Sequence, residues 1–352
     1  MSTYDVVVVG GGVAGTSCAY HLRRLGTGRV LLLDRASLAA GSSSRSTGFV
    51  ETGYREPRRI EVTLRSRRIV QQLAAERGLP FVRCGKLLLG PDRAALEAAL
   101  ALRRELGAAD GAVLAAEEVR ALAPELRGAE PALWCEGDGH TDGPLLCSIL
   151  AEDVDVQQGA EVISFTITSG RITGVATREG DIPCGAVVDA AGAWARHVGA
   201  LAGVEVPVDG YRRQVAVLET DRTVLPLVTE ELDGGEVLYL RGEGERYILA
   251  GLHSETTTEQ PADPDRYEQT LDRDFEDRIA ELVSKRLVHG SSLRLRSGWA
   301  GLYPIAAGGS PIVAETEVAG FFVLAGLGGN GIQLAPALGE ELARLALETM
   351  RN

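Results

Sequence analysis

Gly10-Gly11-Gly12-Val13-Ala14-Gly15 is a G-x-G-x-x-G loop set directly after the run Val6-Val7-Val8-Val9. In such a loop the first glycine permits a tight turn, the second lets backbone approach a pyrophosphate, and the third lets helix and strand pack closely. The free N–H groups of the helix start then meet the pyrophosphate. Gly10, Gly12, Val13, Ala14 and Gly15 are therefore candidates for holding a dinucleotide. Asp34 follows Gly15 by 19 residues, where an acid should accept from ribose hydroxyls. The motif alone does not separate FAD from NAD. A second glycine loop, Gly326 to Gly331, follows Phe321-Phe322-Val323-Leu324-Ala325. A bare helix N-terminus there suits a flavin ring, since its partial positive charge stabilises negative charge gained on reduction. A plain left-handed turn and helix cap is the other reading of this loop.

The elements that must position these loops are legible as patterns. Val6–Val9 and Val30–Leu33 are short apolar runs of the kind found in parallel strands buried on both faces. Small and apolar residues at helical spacing fill 13–25 between them, giving a β-α-β unit. Helices are expected over 58–77, 94–106, 264–288 and 332–348, with Gly78 stopping the first. Short strands are expected at 87–89, within 160–178, at 186–190 and at 321–325; 212–253 has a mostly antiparallel-strand pattern. The stretches 41–48 and 137–143 read as loops. The fold class is α/β: a Rossmann-like dinucleotide domain of separate pieces, and a substrate domain on an antiparallel sheet. The cofactor domain is assigned 1–80, 141–208 and 297–352, and the substrate domain 81–140 and 209–296. The substrate should lie between them.

A chain of 352 residues suggests about two domains. Its net charge of −13 argues against a general nucleic-acid binder, because phosphate contacts need clustered Lys and Arg. The cysteines at 18, 84, 135, 147 and 184 are scattered and form no CxxC pair, which disfavours a disulfide framework or a metal site. Reduced thiols and a cytoplasmic protein are expected. The sequence runs from Met1 into a strand with no charged n-region, so no signal peptide is expected. No uninterrupted apolar run reaches the length of about 18 residues that a spanning helix needs.

The order and spacing of several segments resemble the D-amino-acid-oxidase-type family of FAD amine oxidoreductases, which includes glycine oxidase, sarcosine oxidase and D-arginine dehydrogenase. The segments are Gly10–Gly15, Ser43-Ser44-Arg45-Ser46-Thr47-Gly48, Asp138-Gly139-His140-Thr141-Asp142 and Asp189-Ala190-Ala191-Gly192-Ala193-Trp194. They continue with Arg212-Arg213-Gln214, Trp299-Ala300-Gly301-Leu302 and 328–336. The resemblance implies a two-domain fold, non-covalent FAD, and oxidation of a C–N bond in an amino acid or N-alkyl amino acid. It adds Arg35, Ser43, Ser44, Arg45, Ser46, Thr47, Val162, Ala191, Gly192, Trp194, Gly301, Gly328, Gly329, Asn330, Gly331, Ile332 and Gln333 to the cofactor candidates.

For the chemistry, the resemblance implies hydride transfer from the substrate α-carbon to flavin N5, then hydrolysis of the imine. The protein must hold a neutral amine and grip a carboxylate. Arg213 is the expected carboxylate fork, with Arg212 its solvated neighbour. Tyr54 is similar to a lid tyrosine, Tyr239 to a pocket tyrosine, and His253 to a histidine near the flavin. Each is also compatible with an ordinary structural aromatic or histidine. Tyr303 stands where some relatives carry a second carboxylate-binding Arg. Lys86 stands where D-arginine dehydrogenase has a Glu, and would repel a cationic substrate; a solvated strand-end lysine is the other reading. Leu249 stands where sarcosine oxidase has a lysine that promotes reaction with oxygen, which favours a dehydrogenase passing electrons to another carrier, or a slow oxidase using O2. The alternatives are oxidation of a 2-hydroxy acid or polyol, the FAD-carrying subunit of a multi-chain amine dehydrogenase, and tailoring of an unusual amino acid. A homo- or hetero-oligomer is compatible with any of them.

Overall fold

The computed structural model describes residues 3–351 except 91, 129, 222–224, 255–259 and 289–291. Met1 and Ser2, from which the sequence runs into its first strand, lie outside the described residues. The first sheet has the order Val162–Thr168, Arg171–Thr177, Gly180–Asp189, Tyr4–Val9, Val30–Asp34 and Asp155–Gln158. Gly180–Asp189 pairs antiparallel with Arg171–Thr177 through its first half and parallel with Phe321–Ala325 through its second. Val6, Val7, Val8, Phe321 and Phe322 are fully buried, as the apolar runs require of strands covered on both faces. Each such large side chain contributes roughly 1.5–3 kcal/mol.

One face is covered by the helices Val13–Arg24 and Gly331–Arg351, which cross so closely that a Cβ on Gly339 would overlap Ser17. Ser17 Oγ donates to Ala335 O at 2.7 Å, and His21 Nε2 lies 3.0 Å from Pro336 O. The helix Pro57–Arg77 opens on its proline and closes on Gly78 at φ 70°, both where the chemistry of those residues puts them.

The second sheet has the order Arg294–Ala306, Val208–Glu219, Tyr247–His253, Val237–Glu243, Leu227–Glu231, Lys86–Leu89, Ala132–Cys135 and Ala112–Leu114. It is antiparallel except where Leu227–Glu231 meets Lys86–Leu89. Arg294–Ala306 pairs with Val208–Glu219 from Arg294↔Glu219 to Ala306↔Val208. The segment 297–306, assigned from the sequence to the cofactor domain, pairs within this sheet.

Two further expectations need correction. The helix expected over 264–288 spans only Arg273–Arg286. Pro264 precedes an irregular stretch whose backbone turns inward, Gln269 O accepting from Ala300 N at 2.8 Å. The loop 137–143 contains a strand, Gly139–Thr141, sandwiched between Phe49–Val50 and Phe81–Val82 in a small third sheet. Gly139 is tightly enclosed there, since a Cβ on it would overlap Val82 O. By contrast, 160–178 is the expected pair of strands, joined at Ser169 (φ 50°) and Gly170 (φ 77°), the two positive φ values of a tight hairpin.

Candidate active site

Two cavities meet between the sheets. The larger, about 960 Å³, follows the glycine loop and the helix starts. It is lined by Gly10, Gly12, Val13, Ala14, Asp34, Arg35, Ser43, Arg45, Ser46, Thr47, Val162, Ala191, Gly192, Trp194, Gly301, Gly328, Gly329, Gly331 and Ile332. The smaller, about 510 Å³, lies behind Tyr54 and takes in Glu51, Lys86, Thr229, His253, Asn330 and Gln333. Ser46, Thr47, Tyr239, Tyr303, Gly329 and Ile332 line both.

Four cofactor candidates stand elsewhere than on the wall of the larger cavity. Gly15 packs beneath the loop, where a Cβ would overlap Gly10 O, so it shapes the turn without facing the cavity. Ser44 turns away and donates to Gly41 O at 3.1 Å. Asn330 and Gln333 face the smaller cavity and hydrogen-bond one another at 2.7 Å.

The larger cavity fits a dinucleotide. Its volume is at the upper end of the roughly 300–1,000 Å³ usual for small-molecule sites. A Cβ on Gly192 or Gly328 would meet nothing within 4 Å, and one on Gly12 only Ser43 Oγ at 3.3 Å. The helix Val13–Arg24 has no acidic residue in its first turn, so its N-terminal field is open to an anion. Asp34 braces the loop, accepting from Gly11 N and Ala36 N at 2.7 Å each; a carboxylate has further lone pairs for ribose hydroxyls. Arg35 stacks on Trp194 at 4.3 Å, and Trp194 Nε1 donates to Asp265 at 2.9 Å. Arg45 is fastened to Ala40 O and Gly41 O at 2.7 and 2.9 Å.

Where the cavities meet, Gly329 passes so close to Tyr303 that a Cβ would overlap the ring, and it would lie 2.9 Å from His253 Nδ1. Only glycine fits there. Tyr239 and Tyr303 hydrogen-bond one another, and burial raises both phenols, Tyr239 well above its usual range, so both remain neutral at neutral pH. Arg213 is buried on the wall of the larger cavity, donating to Arg212 O at 2.8 Å, with its guanidinium 5.9 Å from the Tyr303 ring centroid. Arg212 is occupied elsewhere, donating to Glu268 O at 2.7 Å, Thr270 O at 2.6 Å and Asp272 at 2.5 Å. Adjacent strand residues face opposite ways, which separates the two arginines.

Lys86 is 1% exposed and ion-paired with Glu51; its Nζ also donates to Gly53 O at 3.3 Å. The solvated reading of Lys86 is therefore corrected. So is its expected repulsion of a cationic substrate, because the facing carboxylate offsets it. Burial opposes ionisation of Glu51, but Lys86, Tyr54 and Arg59 together outweigh this and lower its pKa. Tyr54 donates to Glu51 at 2.6 Å and accepts from Gln333. Burial, then the Glu51 charge, raises Tyr54 well above the usual phenol range. Sequence reasoning missed Glu51, which carries no local signal; its role appears only once Lys86 is folded against it. Leu249 packs with Val215 and Tyr239.

The sequence profile of the DAO family, described as FAD dependent oxidoreductase, matches residues 5–345. The chain is 28% identical to human mitochondrial sarcosine dehydrogenase over 97% of its own length and 39% of that protein's. It therefore spans about two fifths of that relative. It is 25% identical to the sarcosine oxidase subunit beta of an Arthrobacter species, covering 97% of this chain and 86% of that one. Among solved structures, L-proline dehydrogenase from P. horikoshii superposes with a TM-score of 0.89 at 24% identity, over 99% of this chain and 94% of the other.

Proposed function

This chain belongs to the DAO family of FAD-dependent oxidoreductases, and on that premise we propose that it oxidises the C–N bond of an amino acid or N-alkyl amino acid to an imine. The observation that carries the reading is the junction of the two cavities at Tyr239, Tyr303 and Gly329, with the Arg213 guanidinium on the wall of the larger cavity 5.9 Å from the Tyr303 ring centroid. FAD would be held by the glycine loop and the Gly328–Gly331 turn and would supply the hydride acceptor. Arg213 binds the substrate carboxylate by a forked pair of hydrogen bonds. The neutral phenols of Tyr239 and Tyr303 orient the amine beside the cofactor without adding charge. The substrate loses a hydride from its α-carbon and a proton from its nitrogen, which passes to water. A water molecule then adds to the imine and releases ammonia or an amine. The sarcosine-directed relatives support a small secondary amine as the substrate class.

Anaerobic bleaching of the visible flavin band tests this. The purified holoprotein is mixed with D-, L- and N-methyl amino acids and with matched 2-hydroxy acids. Bleaching by an amino acid with release of ammonia or amine is expected; bleaching by hydroxy acids alone overturns the amine reading. Admitting air then reads the electron acceptor. Leu249, in place of a lysine, supports slow reoxidation by O2 and a separate carrier. A second reading rests on the similarity to a subunit beta over most of that chain's length: the chain acts as the FAD-carrying subunit of a larger enzyme. It expects the lone chain to bind FAD yet turn over slowly until a partner chain is added.

A further inference from the structure

Arg67, Arg103 and Asp138, all buried, form a cluster with the half-buried Asp110 that lines neither cavity. Arg67 donates to Asp138 Oδ1 at 2.7 Å and grips Asp110 through two bonds of 2.8 and 2.9 Å. Arg103 donates to Asp110 O at 2.8 Å, to Thr52 O at 2.7 Å and to the Thr52 hydroxyl. Asp138 accepts from both Thr52 N and Thr52 Oγ1 at 2.8 Å. Two cations and two anions cancel, and every polar group of Thr52 is held. A cluster of this kind is geometrically specific, because displacing one member leaves a buried charge unpaired.

Thr52 is the only residue between Glu51 and Tyr54, other than Gly53, and Glu51, Gly53 and Tyr54 all line the smaller cavity. Tyr54 N also donates to Thr52 O at 3.0 Å. The other end of the same segment is held by the same motif. His140 lies 2.9 Å from Arg241, which donates to Thr47 O at 2.7 Å, and the strand Gly139–Thr141 pairs with Phe49 and Val50. The motif Asp138-Gly139-His140-Thr141-Asp142 is thus a rail for the wall segment 47–54. We propose that Asp138 is a positioning residue of the reaction: by gripping Thr52 it sets where Glu51 and Tyr54 stand in the cavity. This rests on the reading of that cavity as the substrate site.

The test compares the Asp138→Asn holoprotein with the unaltered one. Hydrogen exchange is followed in peptides covering 48–54, 4–9 and 321–325, alongside FAD affinity by fluorescence titration and the limiting rate of anaerobic flavin reduction. Expected are exchange and reduction each altered about tenfold, the loss of one charge-assisted hydrogen bond. Exchange should quicken only in 48–54, reduction should slow, and FAD affinity should stay within about twofold. Combining Asp138→Asn with Tyr54→Phe should give no larger loss than either alone, since coupled residues are non-additive. If Asp138→Asn fails to fold, Thr52→Val should reproduce the effect and Thr52→Ser should rescue it. Additive losses, exchange raised throughout the chain, or an unchanged reduction rate per bound flavin overturns the proposal. If no amine reduces the unaltered protein, the proposed function falls, and the exchange comparison by itself decides the positioning role.

Discussion

The cavity that runs from Gly10 to Gly331 is lined by many small residues, glycine, alanine and serine, whereas the cavity behind Tyr54 is walled largely by charged side chains and phenols. The first is a shape made in part by removing side chains: Gly192 and Gly328 open a space, and Gly10, Gly326 and Gly329 permit contacts no Cβ would allow. The second is an arrangement made by matching side chains, with Lys86 against Glu51, Tyr54 against Glu51 and Gln333, and Tyr239 against Tyr303. A backbone cradle should be intolerant of added atoms. A side-chain cavity should be intolerant of unmatched ones.

The largest effect should come from adding a methyl to the cradle. In Gly15→Ala the new Cβ overlaps the backbone oxygen of Gly10, which no side-chain rotation relieves. A loss of about 3 kcal/mol or more is expected, read as protein that purifies with little flavin and melts early. Full FAD content at normal stability would show that the loop has slack and would break the comparison. In the other cavity, Lys86→Met leaves Glu51 buried without its ion-pair partner, and should cost about 3–5 kcal/mol in chemical unfolding. The double variant Lys86→Met, Glu51→Gln should regain most of that loss. Equal instability of the double would mean that volume, not charge matching, governs this wall.

How much of this was legible in the sequence follows from the same contrast. The cradle could be read because its physics is local: Gly10, Gly12 and Gly15 act through their own missing side chains, and Asp34 sits at a fixed offset. The substrate wall could be read only in part. Arg213 and Arg212 are neighbours of identical type, and only the sheet decides that Arg213 turns inward while Arg212 is taken by Asp272. Glu51 has nothing to distinguish it from Glu56 until Lys86 arrives from another strand. Asp138 was visible only as part of a resemblance; its grip on Thr52 depends on Arg67 and Arg103 from two separate helices. The helix expected over 264–288 was overlong because its polar composition suits helix and loop alike.

The cradle's helix pair also predicts a pH effect. Burial lowers the pKa of His21 from about 6.5 to about 4, so it is neutral where its Nε2 faces Pro336 O. The unfolded chain binds this proton more readily than the folded one. Stability is therefore complete above about pH 6.5 and is lost as pH falls toward 4, by up to about 3 kcal/mol. His21→Gln should remove that part of the slope in melting temperature, with Glu340 nearby as the group that opposes it.

The smallest effect expected is also the most discriminating. Arg213→Met removes a forked cation from the junction of the cavities but leaves the glycine cradle untouched. The substrate loses a net charge-assisted interaction of about 1.5–3 kcal/mol, so KM should rise roughly 10- to 100-fold. FAD content should change little, because the hydrogen bonds of Arg213 among the described residues go to the carbonyls of Arg212 and Ser254 and not to the glycine loops. Arg213→Lys should recover only part of the affinity, since a point charge cannot fork across a carboxylate. If Arg213→Met instead sheds FAD with KM unchanged, Arg213 belongs to the cradle rather than to the substrate. The boundary between the two cavities would then lie on the far side of Tyr303, and the carboxylate would have to be sought among the charges around Tyr54.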